Sequence, residues 1–282
     1  MNTYVRKGFL ISMTLLAFFS VAFGQSGDTA VPQPGKQVCI NEGLTGDVID
    51  NYWLYLPRGH NDARKWPVIL FLQGGNGISP DSSTSKVSGP ARYVLKENEN
   101  PEFDSYVKDS FIVINPHMRP GSYWERQWYQ QYNSLNSILE YVIQNYSGDT
   151  RKVYVTGLSR GGNGTWGVGA SLNHRIAAIV PVCGISHGIT DYSCFGDLPV
   201  WTTHCTGDKT HDYNETVEIV SAIEETTGAR FLRLETASPD GEEYLENKHI
   251  FTTFKKESHN AWSETYDKVE IYKWLLKQIK EE

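Results

Sequence analysis

Three side chains, far apart along 282 residues, have types and surroundings that suit the activation of a hydroxyl for attack on a carbonyl carbon. The first is Ser159, in Gly157-Leu158-Ser159-Arg160-Gly161. Val153-Tyr154-Val155 leads in as strand, and Gly162-Asn163-Gly164-Thr165 leads out as the start of a helix. A serine on so sharp a turn is held at the strand's carboxyl end, and larger side chains in place of the two glycines would collide with strand and helix. The helix amino terminus behind it favours developing negative charge. With Gly at about 7% of residues, the bare pattern arises by chance in roughly one chain in ten of this length. The flanking pattern and the partner residues therefore carry the argument.

A serine at neutral pH needs a base to take its proton and a carboxylate to orient that base. In a parallel α/β sheet both come from loops at the carboxyl ends of later strands. Two segments qualify. Asp208 follows the strand 199–204 and precedes a helix, and His259 follows the strand 249–254. Of the eight histidines, His259 stands in the loop after the last strand. Asp212 competes with Asp208 but reads equally as a helix-terminal residue facing the macrodipole; Asp208 is nearer the strand end and is preferred. The chain order Ser159, Asp208, His259 is the one used with this serine motif.

A tetrahedral intermediate also needs backbone donors. The N–H of Arg160 is one. The other is expected from the unshielded loop Gln73-Gly74-Gly75-Asn76-Gly77, with Gly75 first and Gly74 second. Gln73 and the aromatic run Trp124, Trp128, Tyr129 and Tyr132 are expected at the same sheet edge. There Gln73, Trp124 and Trp128 are read as substrate contacts, the rings stacking on a sugar or a phenolic acid; aromatic packing under a long loop is the alternative. No metal or organic cofactor is required by this chemistry.

These groups must be positioned by alternating strands and helices. Strands are predicted at 51–56, 67–72, 110–115, 152–156, 176–181, 199–204 and 249–254, and helices at 89–98, 129–145, 161–172, 214–227 and 265–280. Val68-Ile69-Leu70-Phe71-Leu72, Phe111-Ile112-Val113-Ile114 and Ala177-Ala178-Ile179-Val180 are apolar throughout. Strands buried on both faces read this way, so the fold class is α/β, with a mostly parallel central sheet and helices on each side. An additional strand and loop is expected at 230–248, as a hairpin beside the site.

Residues 1–24 have a charged start (Arg6, Lys7), an apolar run and Ala22-Phe23-Gly24, the pattern of a secretory signal peptide cleaved near Gly24. A loose linker at 25–35 and one catalytic domain at 36–282 would follow, and a soluble, secreted or periplasmic product. The net charge of −7 without basic clusters argues against nucleic acid and against anionic membranes. Export permits disulfides, and Cys39, Cys183, Cys194 and Cys205 allow three pairings. Proximity favours a bridge from Cys183 to Cys194 or Cys205; buried free thiols are the alternative.

Four blocks resemble the α/β-hydrolase superfamily from about Asn51 onward. They are Trp66-Pro67-Val68-Ile69-Leu70-Phe71-Leu72-Gln73-Gly74-Gly75, Val153 to Gly162 with Gly164-Thr165-Trp166, Leu198-Pro199-Val200-Trp201 through His204 to Asp208, and Ser258-His259-Asn260-Ala261-Trp262 with Tyr266. Within it the chain is similar to secreted feruloyl esterases, polyhydroxybutyrate-depolymerase-like proteins and the predicted peptidase or phospholipase/carboxylesterase group. The resemblance implies a serine esterase working through an acyl-enzyme, with carbohydrate-linked feruloyl or acetyl esters first among substrates. A peptidase, a lipid- or polyester-directed esterase, or a non-catalytic glycan binder of the same fold are the other readings. Relatives usually carry His at Gln73, Gly at Cys205 and often Met at Arg160; Gln73 can still hydrogen-bond and hold the loop, so activity is expected to survive. The Arg160 side chain is read either as reaching a carboxylate or sugar hydroxyl of the substrate or as a salt bridge on the helix face.

Overall fold

The computed structural model describes residues 31–75, 88–96, 100–121, 126–187 and 189–281. The predicted leader at 1–24, residues 25–30 of the predicted linker, Asn76, Gly77 and Trp124 lie outside them. Among the described residues nine strands form one sheet in the order β1-β2-β4-β3-β5-β6-β7-β9-β8. They are β1 Gln37–Ile40, β2 Ile49–Tyr55, β3 Trp66–Leu72, β4 Ile112–Met118, β5 Gly148–Leu158, β6 Ala178–Val182, β7 Val200–Cys205, β8 Leu232–Leu234 and β9 His249–Phe254. β2 pairs antiparallel with β1 and β4, and all other pairings are parallel.

The uninterrupted apolar runs have the predicted cause. Along β3, Trp66, Val68, Leu70 and Leu72 point into one core layer while Ile69 and Phe71 point into the other, because successive side chains leave a strand on opposite faces. The first layer lies under α3 (Tyr132–Asn145), α4 (Arg160–Ser171) and α5 (Tyr213–Thr227), and the second under α1 (Gly89–Tyr93), α2 (Pro101–Ser110), α6 (Trp262–Tyr266) and α7 (Val269–Lys277).

Several boundaries differ from expectation. α2 escaped prediction because its sequence is polar; it is started by Asn100, whose side chain accepts from the N–H groups of Glu102 and Phe103, with a proline in the first turn. The single helix predicted at 265–280 is two, broken where Lys268 adopts extended backbone. The short outermost strand β1 was also missed. The end of the predicted linker is tied down: Pro34 bridges Leu56, and Gly35 N–H donates to Leu56 O at 2.9 Å. Within 230–248, β8 joins β9 in parallel, so the segment is an outer strand of the sheet and not a hairpin. Cys183, Cys194 and Cys205 are free thiols, the first and last of them buried, so neither proposed bridge forms. No helix among the described residues is long and apolar enough to cross a membrane.

Candidate active site

β5 ends at Leu158, and the next residue, Ser159, has a φ of 55° and ψ of −122° that put a non-glycine residue in a sparsely populated region before α4 begins. The surroundings hold it there. Ser159 N–H donates to Val182 O on β6 at 2.9 Å, and Ser159 O accepts from Asn163 N–H at 3.0 Å as the helix starts. The flanking glycines are forced by contact. A Cβ on Gly157 would sit 2.4 Å from Gly161 O, and one on Gly161 would sit 1.9 Å from Leu72 O.

His259 arrives from the loop after β9. Its Nε2 lies 2.8 Å from Ser159 Oγ, and its Nδ1 lies 2.6 Å from Asp208 Oδ2. Nδ1 faces a carboxylate and therefore carries the proton, which leaves Nε2 to accept from the hydroxyl. Asp208 arrives from the loop after β7, and its side chain is fully buried. Its Oδ1 accepts the backbone N–H groups of Thr210 at 2.8 Å and His211 at 3.1 Å. Burial alone would raise this carboxyl, but the hydrogen bonds from His259, Thr210 and His211 outweigh it and hold the group below the ordinary carboxylate range. Asp212, the competing carboxylate, instead caps α5 by accepting from Asn214 N–H at 2.9 Å.

The two loops are stitched together by their backbones. Thr206 N–H donates to Phe254 O at 2.9 Å and Gly207 N–H to Lys256 O at 3.1 Å. The imidazole of His259 stands between two edge-on rings, His211 at 5.1 Å and Trp262 at 5.4 Å between centroids. His211 Nδ1 donates to Cys183 O at 2.7 Å, fixing that ring.

Gly74 abuts the serine: a Cβ there would stand 2.6 Å from Leu158 Cδ1 and 3.6 Å from Ser159 Cβ. Gly75, the last described residue before 76–87, faces open space, with nothing within 4 Å of a built Cβ. Arg160 occupies the first position of α4.

Two residues read as substrate contacts are placed elsewhere. Trp128 is fully buried beneath the loop, and its Nε1 donates to Gln73 O at 2.9 Å, so its ring offers no face to a ligand. Gln73 is also buried, and its Nε2 donates to Asn115 Oδ1 at 2.7 Å. Both are supports of the glycine loop, because an indole N–H and an amide buried at a strand end must find partners inside the protein. Sequence reasoning missed His204, His211 and Trp262 as members of the site. The signal available was the placing of His204 and His211 four residues before and three after Asp208.

Cys183, Asp208 and His259 bring three potential metal-ligand atoms within 4.8 Å of one another. The facing atoms of Asp208 and His259 are taken up by each other, and burial pushes the Cys183 thiol well up, so it stays protonated. The donor set suits a hydrogen-bonded relay better than an ion. With the hydroxyl, base and carboxylate in line and a helix terminus behind the hydroxyl, the arrangement has the geometry needed for acyl transfer.

No family model matches the chain. A bifunctional acetylxylan esterase/xylanase of Neocallimastix patriciarum is 26% identical over 108 residues, 38% of this chain; the match spans 16% of that protein. Among solved structures, a thermostable esterase is 22% identical with a TM-score of 0.66, over 87% of this chain and 63% of that one. The acetyl xylan esterase of Aspergillus awamori is 16% identical with a TM-score of 0.58, over 85% and 99%. A feruloyl esterase module from Clostridium thermocellum is 14% identical with a TM-score of 0.57, over 89% and 92%. The chain has the α/β-hydrolase fold.

Proposed function

We propose that this protein is a secreted serine hydrolase that cleaves carboxylic esters carried on plant-type polysaccharides, acetyl or feruloyl, through an acyl-enzyme. The observation that supports this best is the unbroken run from Ser159 Oγ through His259 to Asp208 Oδ2, at 2.8 and 2.6 Å, across the carboxyl ends of three strands. Ser159 Oγ attacks the ester carbon while its proton passes to His259 Nε2, giving a tetrahedral oxyanion held by the N–H groups of Arg160 and Gly75. Collapse breaks the bond to the alcohol oxygen, which takes the proton from His259 and leaves. Water then gives a proton to His259 and attacks the acyl carbon, and return of that proton to Ser159 Oγ releases the acid. Asp208 holds the tautomer and stabilises the imidazolium throughout. Each oxyanion donor contributes roughly 3 to 4 kcal/mol in such sites.

The substrate class is supported by the acetylxylan and feruloyl esterases among the similar proteins and by the resemblance of the motifs. The leader at 1–24 supports export. The test is labelling with a fluorophosphonate probe, with Ser159→Ala as control, followed by a hydrolysis screen across acetylated xylan, methyl ferulate, short nitrophenyl esters and a peptide amide. Labelling lost in Ser159→Ala together with turnover of the first two substrates is expected. A folded protein that the probe leaves unlabelled would favour a glycan-binding role and refute the proposal.

A further inference from the structure

The carboxylate of Asp208 is engaged on a second side by a histidine that acyl transfer does not require. His204, the penultimate residue of β7, is fully buried, and its Nε2 lies 3.0 Å from Asp208 Oδ2, the oxygen that His259 Nδ1 approaches at 2.6 Å. The same Nε2 is 3.1 Å from His211 O. Both neighbours are acceptors, so Nε2 carries a proton and donates. On the far side of the ring, Nδ1 is 2.7 Å from Thr216 Oγ1 on α5, and that hydroxyl is 2.9 Å from Gly184 O. A hydroxyl has one proton, which serves either Nδ1 or Gly184 O. The ring is thus accommodated neutral, with Thr216 donating to Nδ1, or charged, with Thr216 turned to Gly184.

A line of contacts at hydrogen-bond distance runs from Ser159 Oγ through His259, Asp208, His204 and Thr216 to Gly184, and its last link is made when Thr216 donates to Gly184 O. Gly184 packs on the nucleophile helix, where a Cβ added to it would lie 2.4 Å from the carbonyl carbon of Gly162. The line therefore returns to the segment from which it started. A lone carboxylate can rotate about its last torsion and offer the imidazole a poorly aligned oxygen; Asp208 is held at Oδ1 by the Thr210 and His211 N–H groups, and His204 adds a second donor at Oδ2 beside His259.

We propose that His204 is a positioning residue: it holds Asp208 Oδ2 on the line from Ser159 to His259 and shares that oxygen's charge with His259. This rests on the hydrolase reading above. The titratable and charged groups facing His204 among the described residues are Asp208, His211 and His259, and the Tyr213 ring stands edge-on at 5.9 Å. Without His204, Oδ2 is left to His259 alone, so the charged imidazole is favoured while its orientation loosens.

The experiment compares wild type with His204→Phe, His204→Gln and Thr216→Val. The full pH profile of kcat/KM is measured, together with the low-field proton resonance of the His259–Asp208 hydrogen bond. Gln keeps an N–H donor near the Nε2 position, Phe keeps only the ring, and Val removes the hydroxyl that fixes Nδ1. In His204→Phe, kcat is expected to fall about 10- to 100-fold with KM within about twofold, the scale of a misplaced catalytic group. The acid limb of the profile is expected to move upward by about half a pH unit or more. His204→Gln should recover most of both, and Thr216→Val should move both in the same direction by less.

A folded His204→Phe with wild-type kcat, acid limb and low-field resonance would overturn the proposal. So would equal losses in the Phe and Gln variants with an unmoved acid limb, since that is a packing effect. If His204→Phe fails to fold, the Gln and Val variants decide it by the same readouts. A wild type that turns over no ester, but whose low-field resonance responds to His204→Phe, would sink the hydrolase reading and leave the coupling standing.

Discussion

Replacing Asp208 by Asn tests the site most sharply, because four donors converge on that carboxylate: His259 Nδ1 and His204 Nε2 on Oδ2, and the Thr210 and His211 N–H groups on Oδ1. An asparagine has one acceptor oxygen, so its amide nitrogen must face one of the two pairs. If it faces the imidazoles, His259 adopts the tautomer with a proton on Nε2 and cannot take the serine's proton. A loss of about 10⁴-fold in kcat, or about 5 kcal/mol in the barrier, is the scale for that fault. If it faces the backbone, two buried N–H groups lose charge-assisted partners at about 1.5 to 3 kcal/mol each, and stability falls by about 3 to 6 kcal/mol. The expected outcome is therefore a loss of about 10⁴-fold in kcat with KM little changed, or a fall in unfolding free energy of that size, or a mixture of the two. Burst kinetics with a chromogenic ester and denaturant unfolding measure both. Asp212→Asn is the control, expected to keep turnover within about twofold and to cost at most about 1 kcal/mol as an altered helix cap. An Asp208→Asn protein with turnover within tenfold and wild-type stability would refute the reasoning.

Other consequences are as direct. Gly161→Ala forces a methyl to 1.9 Å from Leu72 O and should cost about 3 kcal/mol or prevent folding, read by thermal unfolding. Acid should destabilise the fold by two routes of the same sign. Asp208 lies below its unfolded value, so its stabilisation is present above the unfolded carboxylate range near 3.9 and is lost as pH falls through the folded value. Burial lowers His204, His211 and His249, so their stabilisation is present above about 6.5 and fades as pH falls below it. Unfolding free energy should therefore drop from pH 7 to 5, by at most about 1.4 kcal/mol per pH unit for each group, in denaturant titrations at stepped pH. Trp128→Phe removes the indole donor to Gln73 O and should lose about 1 to 3 kcal/mol of stability; an increase in KM with stability unchanged would instead restore Trp128 as a substrate contact.

Ser159, Asp208 and His259 were legible because each requirement leaves a local trace: glycines where a turn is too tight for a Cβ, and a carboxylate and an imidazole just past strands that end in order. The mostly parallel sheet was legible because strands covered on both sides cannot alternate. What was hidden depends on direction in space. Trp128 and Tyr129 are adjacent aromatics, and only the packing decides that the first goes wholly inward under the Gln73 loop. Gln73 looks like a rim residue until Asn115, 42 positions away, supplies its partner. The break at Lys268 carries no proline or glycine to announce it. His204 follows two threonines in a wholly buried strand and reads as a satisfied core polar residue; that its partner is the carboxylate of the site follows only from coordinates.

The stitched loops after β7 and β9 have a mechanical consequence. Their strands pair along their whole length, from Val200 opposite His249 to Cys205 opposite Phe254, whereas β6 meets β7 only at Ile179 with Val200 and Val182 with Thr203. The imidazole and its carboxylate thus ride on one strand pair and the hydroxyl on another, and the joint between them has the fewest paired residues in the sheet. Breathing of that joint lengthens or shortens a single separation, between oxygen and nitrogen, and leaves the acid–imidazole couple intact. Thermal motion and distant substitutions alike would then tune the site along one coordinate.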